Sequence, residues 1–571
     1  MTIQHDSVWR ANVQSRSVSV NKIPQSWRKL GGRALISRIL LDEDVAGCDP
    51  MGPDNKLIWS VGLLVGHKIS SCDRISLGGK SPLTNGIKES NAGGSTGLLL
   101  SYLGIRAFIL EGQPRSDEWQ ILRIDDKGGV FESAEDIVGL GVYDASEKLM
   151  YRYGKKVGIT LIGPGGEMGM YSAGVQNLDK DGVASRICAR GGLGAVMGAK
   201  RVKAIVIDGA NGEKPPLDRP KLFKEARKHY TEKLLAHPQT KSYSDYGTAA
   251  MTAICNGFGA LPTRNFSSGQ FEHAEAIGGE TMRELMLERG GDSDTSHACM
   301  SGCIIRCSNC FASTTGELIV SPVEFETIGL VGSNLGVDNL DDIARLNWEI
   351  NDLGLDTIEV GAALGVAAEG GLLEFGDADR AMKLLHEIRS GTTLGKVLGN
   401  GVVATGRHLN VERVAAVKGQ AMSAYDPRAI KGNGVTYATS PQGADHTCGN
   451  CIRAEIDHLS PEGQVEVSRD TQIKMAGYDT LGACLFGGFG FASAPGALRD
   501  LMNGRYGWGV DENILYDLGK ITLKLEIEFN LAAGFGPADN RLPDWMMTEK
   551  LPPFNTVFDV SDEELDDIFD W

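Results

Sequence analysis

The chain has no excess of positive charge, no membrane-length apolar run and no apolar leader. Its 57 Lys and Arg stand against 74 Asp and Glu, a formal charge of −17. That balance argues against nucleic acid and anionic membrane as partners and leaves a locally basic protein partner open. The longest uncharged stretch, Thr480–Leu498, is broken by five Gly and Pro495, so it reads as a buried loop region shielding a neighbouring centre and not as a span. The opening Met1-Thr-Ile-Gln-His-Asp6 is polar with no apolar core behind it, and no secretory signal is expected. Eleven cysteines without such a signal imply a reducing compartment, free or metal-bound thiols and a cytoplasmic location. No internal repeat or low-complexity segment is visible. The dinucleotide fingerprint is also missing: the best Gly-rich candidate, Arg190–Gly198, leads into a strand and not into a long helix with an acidic residue beyond.

What is plentiful is glycine, 74 of 571 residues and near twice the usual share. Such an excess belongs where backbone approaches a ligand or turns with positive φ. Cysteine is concentrated: Cys299, Cys303, Cys307 and Cys310 fall in the stretch His297–Cys310, and Cys484 lies far downstream in Tyr478–Phe486. Three thiolates on a short segment with a distant fourth is a usual way of holding a [4Fe–4S] cluster. Structural zinc is the rival reading and inert buried thiols a third, although the i, i+4, i+8 spacing is not that of paired zinc knuckles.

Residues 1–210 read as β-rich. Apolar β-type runs recur at Leu57–Gly62, Ala107–Leu110, Gln120–Ile124, Gly158–Ile162 and Ala204–Ile207, separated by glycine-rich loops at Gly31–Arg33, Asn91–Gly94, Gly163–Glu167 and Arg190–Gly198. Several such loops around one sheet suggest a phosphate-bearing cofactor cradled by backbone N–H groups, although each loop alone is an ordinary turn. After a linker at Pro215-Pro216 the pattern turns helical. Asn339 should cap a helix with Ile343, Leu346 and Ile350 on its apolar face, Asp377 another with Ala381, Leu384, Leu385 and Ile388, and Ser561 with Glu564 a short acidic one.

These motifs, in this order, resemble the aldehyde:ferredoxin oxidoreductases. Gly31-Gly-Arg33, Lys80–Thr84, Ser90–Gly94, Ile162–Glu167, Arg190–Gly198, the cysteine cluster, Asn351–Asp356, Ala424–Arg428 and Asp479–Cys484 follow the family's sequence of motifs from about residue 30 to about residue 545. The resemblance implies an α+β fold: a β-rich N-terminal pterin-binding domain (1–210), then two mainly α-helical domains, 211–415 carrying the cysteine cluster and 416–571 carrying its fourth cysteine. It implies tungsten or molybdenum between the dithiolenes of two pterins, with no side-chain ligand. It further implies a Mg2+ ion bridging the pterin phosphates and a [4Fe–4S] cluster held by Cys299, Cys303, Cys307 and Cys484.

By motif, Asn91 matches a residue whose backbone carbonyl holds the magnesium, and Gly93, Arg74 and Arg186 match phosphate-binding positions, where a guanidinium fork suits phosphate oxygens. Asp356 and Asp479 match acids that accept from the pterin nitrogens, with Leu355 and Ala483 contributing backbone there, and Arg190 is a structural contact. His446 aligns with an active-site histidine and Glu324 with a glutamate, Glu326 being the neighbouring possibility. Two departures stand out. Asn351 replaces the first Asp of the family's Asp-x-x-Gly-Leu-Asp, and the cluster segment has Cys-x3-Cys-x3-Cys, so Cys299 absorbs an extra residue unless Cys310 replaces Cys307 as the third ligand. Cys448 and Cys451 are read as structural thiols, with an extra metal site or redox pair as the alternative.

The implied activity is oxidation of an aldehyde to a carboxylate, with electrons leaving through the cluster to ferredoxin or an iron–sulfur partner subunit, in a homodimer or larger complex. Two alternatives share the scaffold: the tungsten subunit of an aryl-CoA reductase complex of the benzoyl-CoA type, and a non-catalytic electron-relay subunit.

Overall fold

The computed structural model describes residues 3–571. In its first half, β1 (Ser7–Asn12), β2 (Ser17–Lys22), β3 (Leu57–Val61), β4 (Ile75–Lys80), β5 (Ile87–Ala92) and β6 (Ile105–Glu111) form one sheet in the order β2-β1-β6-β3-β4-β5. A second sheet holds β7 (Gln120–Asp125), β8 (Gly128–Ser133), β9 (Gly158–Leu161), β10 (Val175–Asn177), β11 (Arg186–Cys188) and β12 (Val202–Ile207) in the order β8-β7-β12-β9-β10-β11. Each strand of the first sheet thus has a counterpart six strands later. Only β1–β6 and β7–β12 pair in parallel; every other neighbour is antiparallel. The helices repeat too. Gly32–Asp42 and Val142–Tyr153 follow the second strand of each sheet, and Thr96–Tyr102 and Leu193–Ala199 precede the sixth.

The β-rich half is therefore a structural duplication, which corrects the expectation of no internal repeat. Strand order and turn positions carry the repetition, whereas the side chains of the two copies pack against different partners and have no reason to match.

The sheets share a core in which Trp59, Phe108, Leu122, Val196 and Ile205 meet. Trp59 and Phe108 pack edge to face at 5.8 Å. The outer face of the first sheet is covered by the helix Gly32–Asp42 with Leu525 and Phe529, and that of the second by Val142–Tyr153.

From Pro220 onward the chain is mainly helical. One apolar cluster runs from Ala249 to Ile568 across residue 415 and takes in Met170 and Ala173, and a smaller one packs Phe223–Tyr243 against Tyr478–Leu518. The caps read from sequence are formed. Asn339 Oδ1 accepts from Asp341 N–H at 2.9 Å and from Asp342 N–H at 3.2 Å, Asp377 accepts from Arg380 N–H at 2.8 Å, and Ser561 accepts from Glu564 N–H at 3.3 Å. Thr480–Leu498 is not the loop expected of it. It holds the end of the helix Gln464–Leu481, the helical turns Leu485–Gly487 and Gly488–Ser493, and the start of Ala497–Tyr506. Aromatic anchors order it, Phe491 on Tyr230 and Phe486 on Tyr243, each with ring centroids 4.3 Å apart. Among the described residues no helix is long and apolar enough to cross a membrane.

A small antiparallel sheet, β13 (Asp294–His297), β14 (Ser308–Ala312) and β15 (Leu318–Val320), stands beside the duplicated half. Its β13–β14 connection carries Cys299, Cys303 and Cys307.

Candidate metal and cofactor centre

Two long helices end against the duplicated sheets in equivalent ways. Leu340–Asp352 runs into Leu353-Gly354-Leu355-Asp356, and Gln464–Leu481 into Gly482-Ala483-Cys484. Gly354 and Gly482 both turn with positive φ, +72° and +75°, as a left-handed helix end favours. Gly482 O accepts from Arg74 N–H at 3.1 Å and Gly354 O from Gly174 N–H at 2.9 Å. Cys484 N–H donates to Ser71 O at 2.7 Å and Asp356 N–H to Ser172 O at 2.9 Å. Asp479 and Asn351 occupy equivalent positions in this pairing, as do Cys484 and Asp356.

Asp479 is gripped from two sides, by Arg33 Nη1 at 3.1 Å and Asn91 Nδ2 at 3.0 Å. Arg33 also forks onto Glu526 at 2.7 and 2.8 Å. Burial pushes the Asp479 carboxyl up and Arg33 opposes it, while nearby Glu89 is pushed up by burial and by Asp479. In the other half Asp356 accepts from Ile358 N–H at 2.9 Å and Arg190 Nε at 3.2 Å. Asn351, by contrast, turns its amide into its own helix and donates to Asn347 Oδ1 at 2.9 Å.

The structure brings Cys299, Cys303, Cys307 and Cys484 together. Cys303 Sγ lies 3.5 Å from Ser71 Oγ, next to the loop that holds Cys484, and a Cβ on Gly93 would stand 3.0 Å from Cys299 Sγ. Burial pushes Cys299 up to about 12, against the pull of Arg186 and Arg74, and burial also raises Cys484 against Arg74.

Cys310 faces elsewhere, 3.6 Å from Ser321 Oγ and beside His297. That imidazole is pushed up to about 9 by Asp179 first and then by Cys310. Cys448 and Cys451 diverge: Arg33 and Ser440 surround the first, and Thr471, Thr436 and Ser468 the second.

Arg74 spans Asn91, donating from Nη2 to its carbonyl oxygen at 2.9 Å and from Nε to its side-chain oxygen. Arg186 is buried and donates from Nη1 to Ser308 Oγ at 2.9 Å, but its Nε and Nη2 meet no acceptor from the protein. A buried guanidinium with two free donors is costly unless an anion arrives. Together with the thiol cage and the close-packed glycines, this donor set fits an anionic cofactor beside an iron–sulfur cluster.

His446 opens a helical turn capped by Asp445, which accepts from Thr447 N–H at 3.0 Å. Its Nδ1 lies 2.9 Å from Ser423 Oγ and its Nε2 3.3 Å from Glu326 Oε1. Glu326 also accepts from Ala424 N–H at 2.8 Å; burial pushes it up and His446 opposes that. The structure does not bring Glu324 to His446. Glu324 accepts from Thr248 Oγ1 and, at 3.3 Å, from Ser308 Oγ, on the Arg186 side. The two carboxylates flank a helix start, Glu324 before it and Glu326 inside it, and so point to different sites.

Sequence reasoning missed the frame behind His446. Arg190 Nη1 donates to Ala444 O at 2.5 Å and to Ser423 Oγ at 3.3 Å, and buried Lys88 pairs with Asp445 at 2.7 Å. No local motif marks Lys88 or Ser423.

A model of the aldehyde ferredoxin oxidoreductase N-terminal domain matches residues 8–209, and a model of domains 2 and 3 of the same enzyme matches 225–569. The chain belongs to the aldehyde ferredoxin oxidoreductase family. Within the aldehyde ferredoxin oxidoreductases it is 31% identical to a tungsten-containing member from Pyrococcus abyssi, over 95% of this chain and 92% of that protein. It is 32% identical to one from Thermococcus kodakarensis, over 95% and 91%. An aliphatic sulfonate oxidoreductase WOR-like subunit of Pyrococcus furiosus is 26% identical over 74% of this chain and 72% of its own length. The fold is shared with the active site complex BamBC of benzoyl coenzyme A reductase, at a TM-score of 0.79 and 17% identity over 99% of this chain and 93% of that one.

Proposed function

We propose that the protein is a tungsten-dependent, or molybdenum-dependent, bis-pterin oxidoreductase that oxidises an aldehyde to a carboxylate. One water is consumed, three protons are released, and two electrons pass singly through a [4Fe–4S] cluster to ferredoxin. The observation that carries the reading is the convergence of two equivalent helix ends, one per sheet, beside four cysteines from two distant segments. The similarity to tungsten-containing aldehyde ferredoxin oxidoreductases along 95% of the chain supports it.

Asp479 in one half and Asp356 in the other would receive the nitrogen edges of the two pterins, with Ala483 and Leu355 offering backbone. Arg74, Arg186 and Gly93 would receive their phosphates, and Mg2+ at Asn91 would join these. Cys299, Cys303, Cys307 and Cys484 would hold the cluster. When bound, these groups supply a two-electron acceptor and a one-electron outlet.

Proton handling falls to the chain. Ser423 Oγ takes donated hydrogens from Arg190 Nη1 at 3.3 Å and from the His446 backbone N–H at 3.5 Å. Its own O–H is then left for His446 Nδ1. That fixes the tautomer with hydrogen on Nε2, whose nitrogen stands 3.3 Å from Glu326 Oε1. Glu326 Oε1 is buried with no hydrogen-bond partner in the protein and is the base that takes a proton from the attacking water, with His446 beside it. Glu324, near Arg186, lies on the cofactor-holding side.

Anaerobic assay with small aldehydes and a viologen dye tests the reading. Dye reduction by wild type, and its loss in His446→Ala with metal content intact, is the expected result. Unchanged turnover in His446→Ala removes that residue from the chemistry, and an inactive wild type with full metal content removes aldehyde oxidation.

A further inference from the structure

We propose that the exposed face of the helix Pro220–Ala236, with Lys68 beside it, is the docking surface for a small acidic ferredoxin. The inference rests on the oxidoreductase reading above and says where its electrons leave. The chain as a whole carries −17, yet residues 219–241 hold seven Lys or Arg against two Glu. The helix buries Phe223, Ala226, Tyr230 and Leu234 and leaves Lys221, Lys224, Arg227, Lys228 and Lys233 exposed. Locally, then, the surface has the opposite sign to the molecule, and it is an acidic partner, not a basic one, that complements it.

The inner side of this helix touches the cysteine cage. Tyr230 Oη donates to Ser70 O at 3.0 Å, and Ser70 Oγ accepts from Ile304 N–H at 3.1 Å, one residue past Cys303. Arg227 Nη1 donates to His67 O at 3.3 Å. The Lys68 carbonyl lies 3.2 Å from where a Cβ on Gly302 would stand, so exposed Lys68 adjoins the residue before Cys303. The local positive field is felt at His67, which is pushed down to about 3, by burial first and then by Arg505, Lys214 and Arg227. The basic face thus adjoins the Cys303 side of the cage, through Tyr230 on its inner side and Lys68 beside it. Each docked ferredoxin takes one electron and is reduced by it, so one aldehyde requires two dockings.

The test uses holoenzyme and a purified acidic ferredoxin that carries a single [4Fe–4S] cluster. Binding is measured by titration calorimetry at low and high salt, alongside turnover with ferredoxin and with viologen. In Lys68→Glu/Lys224→Glu/Lys228→Glu the affinity and kcat/KM for ferredoxin should fall roughly tenfold or more at low salt, and wild-type affinity should fall as salt rises. Viologen-linked turnover should not change, and Lys383→Glu on another helix should change nothing. A triple variant that binds ferredoxin like wild type, or wild-type binding indifferent to salt, overturns the surface. Loss of viologen turnover in wild type fails the underlying reading instead, so the two failures are distinguishable.

Discussion

At the scale of single residues, three side chains carry separable jobs. Arg186 keeps two buried donors without a protein acceptor. Arg186→Met should leave the far-ultraviolet circular dichroism unchanged while pterin content per chain falls; undiminished pterin would show that the guanidinium holds no cofactor. Glu326 is pushed up by burial, so the acidic limb of kcat/KM should lie above the ordinary carboxylate range. Glu326→Gln should remove that limb and slow turnover by about 10²–10⁴-fold. Asp445 behaves oppositely. Burial would raise it, but Lys88, Arg190 and His446 outweigh burial and hold it well below its usual 3.8. Its folded value is depressed, so its contribution to stability is complete above about pH 4 and is lost as pH falls through the folded value. Asp445→Asn leaves Lys88 buried and unpaired, at a cost of about 3–5 kcal/mol near neutrality. The gap in thermal midpoint between wild type and variant should be widest near neutral pH and shrink only as pH drops below about 4.

At the scale of elements, the two helix ends stand where side chains would not fit. A Cβ on Gly62 would lie 2.2 Å from Gly482 N, and one on Gly163 would lie 2.3 Å from Leu353 O. Both obstacles are backbone, so neither can swing aside. Gly62→Ala and Gly163→Ala should be similarly harmful, each costing about 1–3 kcal/mol or more and lowering pterin content. Gly47→Ala, with nothing within 4 Å, should be silent, and a Gly163→Ala enzyme with full pterin would break the equivalence of the halves. The sequence made some elements plain and hid others. β3, β6, β7, β9 and β12 are apolar, β-branched runs and were legible, as were the caps at Asn339, Asp377 and Ser561. β5, Ile-Lys-Glu-Ser-Asn-Ala, and β11, Arg-Ile-Cys, were not. Their inward positions carry polar groups that serve the site, so the alternation that marks a strand is missing.

At the scale of the whole molecule, the motif order identified the family, but the duplication of the β-rich half lay in strand order, which no residue pattern displays. The choice between Glu324 and Glu326 likewise depended on a helix start whose direction is set by packing. The account's central claim is that paired helix ends on duplicated sheets hold a two-pterin metal centre next to a four-cysteine cluster. Its most direct test is elemental and pterin analysis of anaerobically purified protein. The account predicts four iron atoms, one tungsten or molybdenum and two pterins per chain, with the iron lost in Cys484→Ala. A chain carrying zinc alone and no pterin would contradict it.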